Sequence, residues 1–355
     1  MKLMHVVGAR PNFPKLAPVY RAAAGAGISQ VVVHTGQHYD ESLSASFFQD
    51  LGIPEPAVNL DVGSMSHAAQ TARIMERIEP VLTAHRPDWL TVYGDVNSTM
   101  AATLVAAKLG IRVAHVEAGL RSFDRAMPEE VNRLVTDRLA DLLLTPSRDA
   151  DAQLRREGEP ESKIVFVGNV MIDTLFYSLP AARELRVREV DETGRDVVVV
   201  TLHRPSNVDD VTRMSEIAAA LSEIARLKPV VFPVHPRTAQ QLRSQGISLA
   251  DVDLIQPLRY LEMLHVVDGA FAVITDSGGL QEETTALGVP CFTVRANTER
   301  PITISEGTNQ LVPDPSRLPD LVRCATRKDP PPSPEGWDGH ASDRIIRALL
   351  AAGSA

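Results

Sequence analysis

Short runs of β-branched and aliphatic residues, each ended by Gly, Pro or a polar turn, alternate along the chain with stretches whose apolar positions recur at helical spacing. That alternation predicts parallel strands joined by crossover helices, and near-continuous apolar runs mark strands buried on both faces. In the first half the predicted strands are LMHVVG, QVVVHTG, WLTVYGD, RVAHVEAG, DLLLTPS and IVFVGN. In the second half they are DVVVVTLHR, PVVFPVHP, VDLIQPL, AFAVITDSGG and PCFTVR. Between the third and fourth strands lies STMAATLVAAKLG, a helix that Asn97 or Ser98 is expected to cap and Gly110 to end. Residues 168–192 combine proline and charge without a strand pattern, which reads as a crossover linker. KDPPPSPEGWDG is expected to be an extended connector, because consecutive prolines cannot continue a helix. The closing SDRIIRALLAA has helical spacing with Ser342 as a candidate N-cap.

At 355 residues the chain exceeds the ~100–200 residues of one typical core, so the pattern divides into two doubly wound α/β domains. The expected boundaries are 1–168 and 169–340, with the final helix, about 341–355, packing back on the first domain. Sheets of this kind bind ligands outside the carboxyl ends of their strands, which places the expected active site in the cleft between the domains.

A net charge of −9 removes the positive field that a nucleic-acid binder or a membrane-surface protein needs, so any phosphate site must be local. No run of about 18 apolar residues exists to span a membrane, and the N-terminal apolar run is too short for a signal peptide. Cys291 and Cys324 have no metal-ligand spacing, so neither a disulfide framework nor a metal is expected, and a reduced cytoplasm fits.

Candidate chemistry collects at the strand ends. ITDSGGLQEETTALG reads as strand, Ser-Gly-Gly turn and helix: Ser277, Gly278 and Gly279 allow close approach of a diphosphate to free N–H groups, and Glu283 follows about one turn later, where it could accept from ribose hydroxyls. The same sequence also suits a plain strand-turn-helix. VVGARPNFPKLAPVY repeats that logic and adds Arg10 and Lys15, either ligands for an anionic substrate or surface cations. Asp95 and Glu117 follow two strands joined by one helix, so a right-handed βαβ unit brings both carboxylates to one sheet edge, where a close pair separates its pKa values. The alternative is that Asp95 caps the following helix and Glu117 pairs with Arg121. Glu129 and Glu130 follow Pro128 in a first helical turn, where acids also serve the macrodipole, and Arg133 lies one turn past Glu129. His203 and His235 stand just beyond second-half strands, placed for a cleft or for structure.

Together GARPNFPKLAP, HTGQHYD, VYGDVNST, HVEAGLRS, MPEEVNR, VGNVMIDTL, TLHRPSNVD, PVHPR, TDSGGLQEE, LGVPC and TERPITISEGTNQLV resemble, in order and over nearly the whole chain, the non-hydrolysing UDP-N-acetylglucosamine 2-epimerases. The resemblance implies two Rossmann-like domains in the B-type glycosyltransferase architecture. It implies reversible C2 inversion of UDP-GlcNAc to UDP-ManNAc through elimination of UDP to a 2-acetamidoglucal and re-addition, with no metal or other cofactor. It carries catalytic roles to Asp95, Glu117, Glu129 and His203. UDP contacts fall on Arg10, Ser277, Gly278, Gly279 and Glu283, with Lys15, Arg133, His235 and Arg300 as neighbours, while Asp124 and Glu130 keep structural or solvated roles. A cytoplasmic homodimer serving polysaccharide or secondary-metabolite synthesis is implied as well, with a UDP-sugar as its partner and neither nucleic acid nor membrane. Two stretches depart from the family: Tyr39 stands where many bacterial members carry arginine, and SMSHAAQTA occupies a region that forms an activating second site in several of them. The alternatives are a related modified UDP-sugar as substrate, the hydrolysing reaction, a UDP-sugar-dependent glycosyltransferase and a non-catalytic sensor. Crowded acids at 95, 117 and 129 favour proton transfer over the glycosyltransferase, and the presence of all four candidate catalytic side chains argues against the sensor.

Overall fold

The computed structural model of the chain describes residues 1–37, 48–191, 196–234 and 236–353. It divides into two compact units, Met1–Tyr177 with Glu335–Ala355, and Ser178–Pro334.

The first unit is built on seven parallel strands: β1 (Lys2–Val7), β2 (Ser29–His34), β3 (Val58–Asn59), β4 (Trp89–Tyr93), β5 (Arg112–Val116), β6 (Leu142–Thr145) and β7 (Ile164–Phe166). Their spatial order is β3-β2-β1-β4-β5-β6-β7, so the chain reverses its direction of growth between β1 and β4, the point where doubly wound sheets open a crevice. On one face, Ile74, Ile78 and Leu82 recur every fourth residue along the helix His67–His85 and are fully buried with Met4, Val6, Leu90 and Val92 of the sheet. Each such side chain contributes roughly 2 kcal/mol by leaving water.

The second unit repeats the plan with β8 (Val198–Thr201), β9 (Val230–Pro233), β10 (Asp253–Ile255), β11 (Ala272–Thr275), β12 (Cys291–Thr293) and β13 (Asn309–Leu311). All pairs are again parallel, in the order β10-β9-β8-β11-β12-β13. Both units are thus Rossmann-like α/β sheets. No helix of the described residues is long and apolar enough to cross a membrane.

Four local expectations change. The segment read as linker contains the helix Val170–Glu184, whose Val170, Ile172 and Leu175 are buried; Pro180 and the charges around it had masked that spacing. β3 and β13 were not predicted, because VN and NQL each hold a single apolar residue. The helix Asn97–Lys108 has Val96 at its N-cap, so neither Asn97 nor Ser98 caps it. Instead Asn97 donates to Gln70 Oε1 at 2.8 Å and Ser98 to Gln37 Oε1 at 2.7 Å. The closing helix Ala341–Gly353 begins one residue before Ser342, and its cap comes from elsewhere in the unit. The Asp173 carboxylate accepts the N–H groups of Ala341 and Ser342 at 3.0 and 2.7 Å, satisfying two donors that a helix start leaves unpaired.

Candidate active site

β4 and β5 are neighbours, with Tyr93 opposite Val116, so Asp95 and Glu117 leave the sheet at the same edge. Glu117 has φ +76, a left-handed conformation that costs a side-chain-bearing residue about 1–2 kcal/mol. Bonds from the N–H groups of Glu117 and Ala118 to Leu144 O, both 3.1 Å, hold the turn. The carboxylate is buried and ion-paired with the Lys15 ammonium, which the helix Phe13–Gly25 presents from beyond β1. Lys15 is therefore neither a surface cation nor an uncompensated one. Gly94 follows from this pair: a Cβ there would stand 2.7 Å from Lys15 Nζ and 3.1 Å from Glu117 Oε2. Glu117 does not pair with Arg121, which instead meets Asp137 and Glu157, each at 2.7 Å.

Asp95 is partly exposed and does not cap the following helix; it is ion-paired with Arg133, and Asn132 Nδ2 donates to its carbonyl at 2.8 Å. Arg133, on the helix Pro128–Leu139, is buried and also binds Glu130 at 2.9 Å rather than Glu129. Glu130 is a buried brace, not a solvated or capping acid: it accepts from Ser122 N at 2.9 Å and Phe123 N at 3.0 Å. Burial alone would raise its pKa, but the Ser122 bonds and Arg133 outweigh this and hold the carboxyl below its ordinary value. Glu129, one residue earlier, faces solvent. Arg10 opens the short turn Arg10–Asn12 after β1, where Asn12 Oδ1 accepts the N–H groups of Gly8 and Ala9 at 3.0 and 3.1 Å.

In the second unit His203 follows β8 and is exposed, with Nδ1 3.0 Å from Asp276 Oδ1. Asp276 is fully buried at the end of β11 and also accepts Arg204 N at 2.9 Å and Asn207 Nδ2 at 3.0 Å. Burial opposes its charge, yet His203 and these donors keep its pKa low. It is the orienting group for His203, and sequence reasoning missed it. The available signal was its position just past the end of an apolar strand, a place Asp95 shares one residue further on.

Ser277 occupies the N-cap position of the helix Gly278–Leu287, leaving Gly278 and Gly279 in the first turn. A Cβ on Gly278 would meet Arg300 Nη1 at 2.5 Å, so Arg300 lies against that turn. Arg300 is buried and matched by Glu282 at 3.0 Å and Glu299 at 2.5 Å. Glu283 lies within this helix, buried beside Tyr260, whose hydroxyl donates to it at 3.2 Å. Burial pushes its carboxyl up to about 7, against the pull of the Tyr260 hydroxyl and with repulsion from Glu282. His235 lies outside the described residues, as do His38 and Tyr39.

Two parallel α/β units, one ending in paired carboxylates and cations, the other in an oriented histidine and a glycine turn at a helix N-terminus, have the makings of a B-type glycosyltransferase-like nucleotide-sugar enzyme. A family model described as UDP-N-acetylglucosamine 2-epimerase matches residues 21–350. A UDP-N-acetylglucosamine 2-epimerase of Methanocaldococcus jannaschii is 40% identical over 98% of this chain and 99% of its own. The crystal structure of the Methanocaldococcus jannaschii UDP-GlcNAc 2-epimerase in complex with UDP-GlcNAc and UDP superposes with a TM-score of 0.91 at 40% identity, covering 99% of this chain and 100% of that one. A UDP-2,3-diacetamido-2,3-dideoxy-D-glucuronate 2-epimerase of Pseudomonas aeruginosa is 42% identical over 88% of both chains. The chain belongs to the non-hydrolysing UDP-N-acetylglucosamine 2-epimerase family.

Proposed function

We propose that the enzyme interconverts UDP-N-acetylglucosamine and UDP-N-acetylmannosamine by inversion at C2. The C2 proton is not adjacent to a carbonyl, so its direct removal faces a high barrier, and elimination lowers it. A carboxylate takes the proton, the C1–O bond to the β-phosphate breaks, and its electron pair leaves with UDP. The resulting 2-acetamidoglucal has a C1=C2 double bond; UDP oxygen re-adds at C1 while a carboxyl returns a proton to the other face of C2. Atoms and electrons balance without an external oxidant.

The observation that carries this reading is Glu117, a buried carboxylate fixed in a strained turn at the strand end beside the one bearing Asp95. Asp95, Glu117 and Glu129 are assigned to proton transfer. His203, steered by Asp276, is assigned to the departing phosphate, where a hydrogen-bond donor stabilises developing charge. Arg10, Ser277, Gly278, Gly279 and Glu283 are assigned to UDP, with Lys15, Arg133, His235 and Arg300 completing the charge balance around it. A cytoplasmic homodimer serving polysaccharide or secondary-metabolite synthesis belongs to the same proposal, and sedimentation tests its oligomeric part.

The Pseudomonas relative favours a second reading, the same inversion on a diacetamido uronate. Incubation in deuterated water followed by NMR separates them. Deuterium at C2 with UDP-ManNAc formation supports the first reading. Turnover of the uronate alone supports the second, and free UDP with ManNAc would replace both with hydrolysis.

A further inference from the structure

The two strand ends that carry Asp95 and Glu117 are tied to one buried pair to which the assignments above give no part. His115 lies within β5 and Asp137 in the last turn of the helix Pro128–Leu139, and both are shut off from solvent. The ring Nδ1 stands 2.6 Å from Asp137 Oδ1, and Nε2 stands 2.8 Å from the carbonyl oxygen of Gly94. The other carboxylate oxygen accepts the N–H of Gly119 at 3.1 Å and the Arg121 guanidinium at 2.7 Å. Burial opposes the charge on Asp137, but His115 and Arg121 outweigh it and keep the carboxyl below its ordinary pKa. Its two ring nitrogens face a carbonyl and a carboxylate, groups that only accept. Arg121 is held in turn by Glu157 through a two-pronged contact of 2.9 and 2.7 Å.

Gly94 immediately precedes Asp95, and Gly119 follows Glu117 by two residues. We infer that His115 and Asp137 form a positioning clamp that ties the turn carrying Asp95 to the turn carrying Glu117 and so fixes the separation of the two carboxylates. The inference rests on the proton-transfer reading proposed above. Its physical basis is threefold. A buried charged cluster is a poor device for stability, since apolar residues of similar size do as well or better; the presence of Asp137 and Arg121 against Val113, Ala114 and Val116 therefore calls for another purpose. Its groups reach backbone atoms on both turns, which apolar packing cannot bond. The left-handed Glu117 persists only where its surroundings over-determine the turn, and the Gly119 bond to Asp137 is part of that restraint.

The test uses full-length Asp137→Asn and His115→Gln, with C2 deuterium exchange, calorimetric UDP affinity and thermal unfolding measured on each. Asp137→Asn sets an amide donor against either His115 or the Gly119 and Arg121 donors, and His115→Gln carries its donors at one end of the amide only. Exchange should fall on the order of 100-fold, the loss expected from an ångström-scale misplacement, while UDP affinity changes by less than about threefold. A purely structural role would lower the unfolding midpoint and leave exchange per folded molecule intact, which would overturn the clamp. Where either variant fails to fold, the apolar double replacement His115→Leu/Asp137→Leu keeps the core filled, and the same loss of exchange is expected. The unmodified enzyme is the control: if it exchanges and the folded variants match it, the clamp falls and the function stands. If it does not exchange, the function falls first, and the clamp with it.

Discussion

Glu117 shows how much one residue carries when conformation, burial and charge coincide. Asp95 and Glu117 were legible as polar residues closing apolar strands, and their neighbourhood followed from the βαβ rule. Their partners were not legible: Lys15 lies 102 positions from Glu117, and Arg133 lies 38 from Asp95, separations over which sequence spacing says nothing about contact. Those partners make the substitutions discriminating. Asp95→Asn or Glu117→Gln should reduce C2 exchange by about 10²–10⁴-fold, the range for losing a positioned proton-transfer group, and leave UDP binding largely intact. Arg10→Ala should weaken UDP binding itself. Calorimetry beside NMR exchange checks both, and loss of UDP affinity in folded carboxamide variants would count against the catalytic assignment. Glu117→Gln should also lower stability by about 3 kcal/mol, because it strands the buried Lys15 ammonium. Denaturant unfolding of Lys15→Met/Glu117→Gln should recover most of that loss.

At the scale of elements, strands carrying two or more apolar residues were readable, and β3 (VN) and β13 (NQL) were not, because each holds a single apolar residue. Caps were misread for a related reason: a side chain near a helix start bonds whatever the fold brings there, as Ser98 does with Gln37 and Asp173 with the closing helix. The helix Gly278–Leu287 was readable as a strand-turn-helix, but the burial of Glu283 inside it was not. Its pH dependence has a definite sign. The folded carboxyl titrates near 7 against an ordinary 4.5, so between these values the native chain holds a proton that the unfolded chain has lost. The stability this gives is complete below about 4.5 and is lost as pH rises through about 7, by about 3 kcal/mol at 1.36 kcal/mol per unit. Asp276 and Glu130 act oppositely, with stability lost as pH falls through their depressed values, a window below that of Glu283. Unfolding of Glu283→Gln between pH 4.5 and 7 should therefore be flatter than that of the unmodified enzyme. An unchanged slope would mean that Glu283 is ionised in the native state.

For the whole molecule, the repeated alternation of strand and helix was enough to read two doubly wound sheets, and the ordered motifs were enough to read the family. What a linear pattern could not supply is which side chains hold the closing helix, expected on the first domain, in its place. The first unit takes its last helix from the chain's end: Asp173 caps Ala341–Gly353, and Arg112 Nη1 donates to Ala352 O at 2.8 Å. Removing residues 335–355 therefore strips a helix from a core built by the other end of the chain. The second unit, Ser178–Pro334, is one continuous stretch with its own buried cluster, from Val198 and Val200 through Leu221 and Phe232 to Ile274. A continuous stretch with its own core is what independent folding requires. Expressed alone, Ser178–Pro334 should unfold cooperatively and bind UDP through the Ser277–Gly279 turn, yet give no C2 exchange, because Asp95, Glu117 and Glu129 are absent from it. The counterpart lacking 335–355 should lose stability in its first unit while this fragment does not change. Circular dichroism and UDP calorimetry on the fragment decide the matter: cooperative unfolding without UDP affinity would show that the glycine turn needs the first unit to hold a diphosphate.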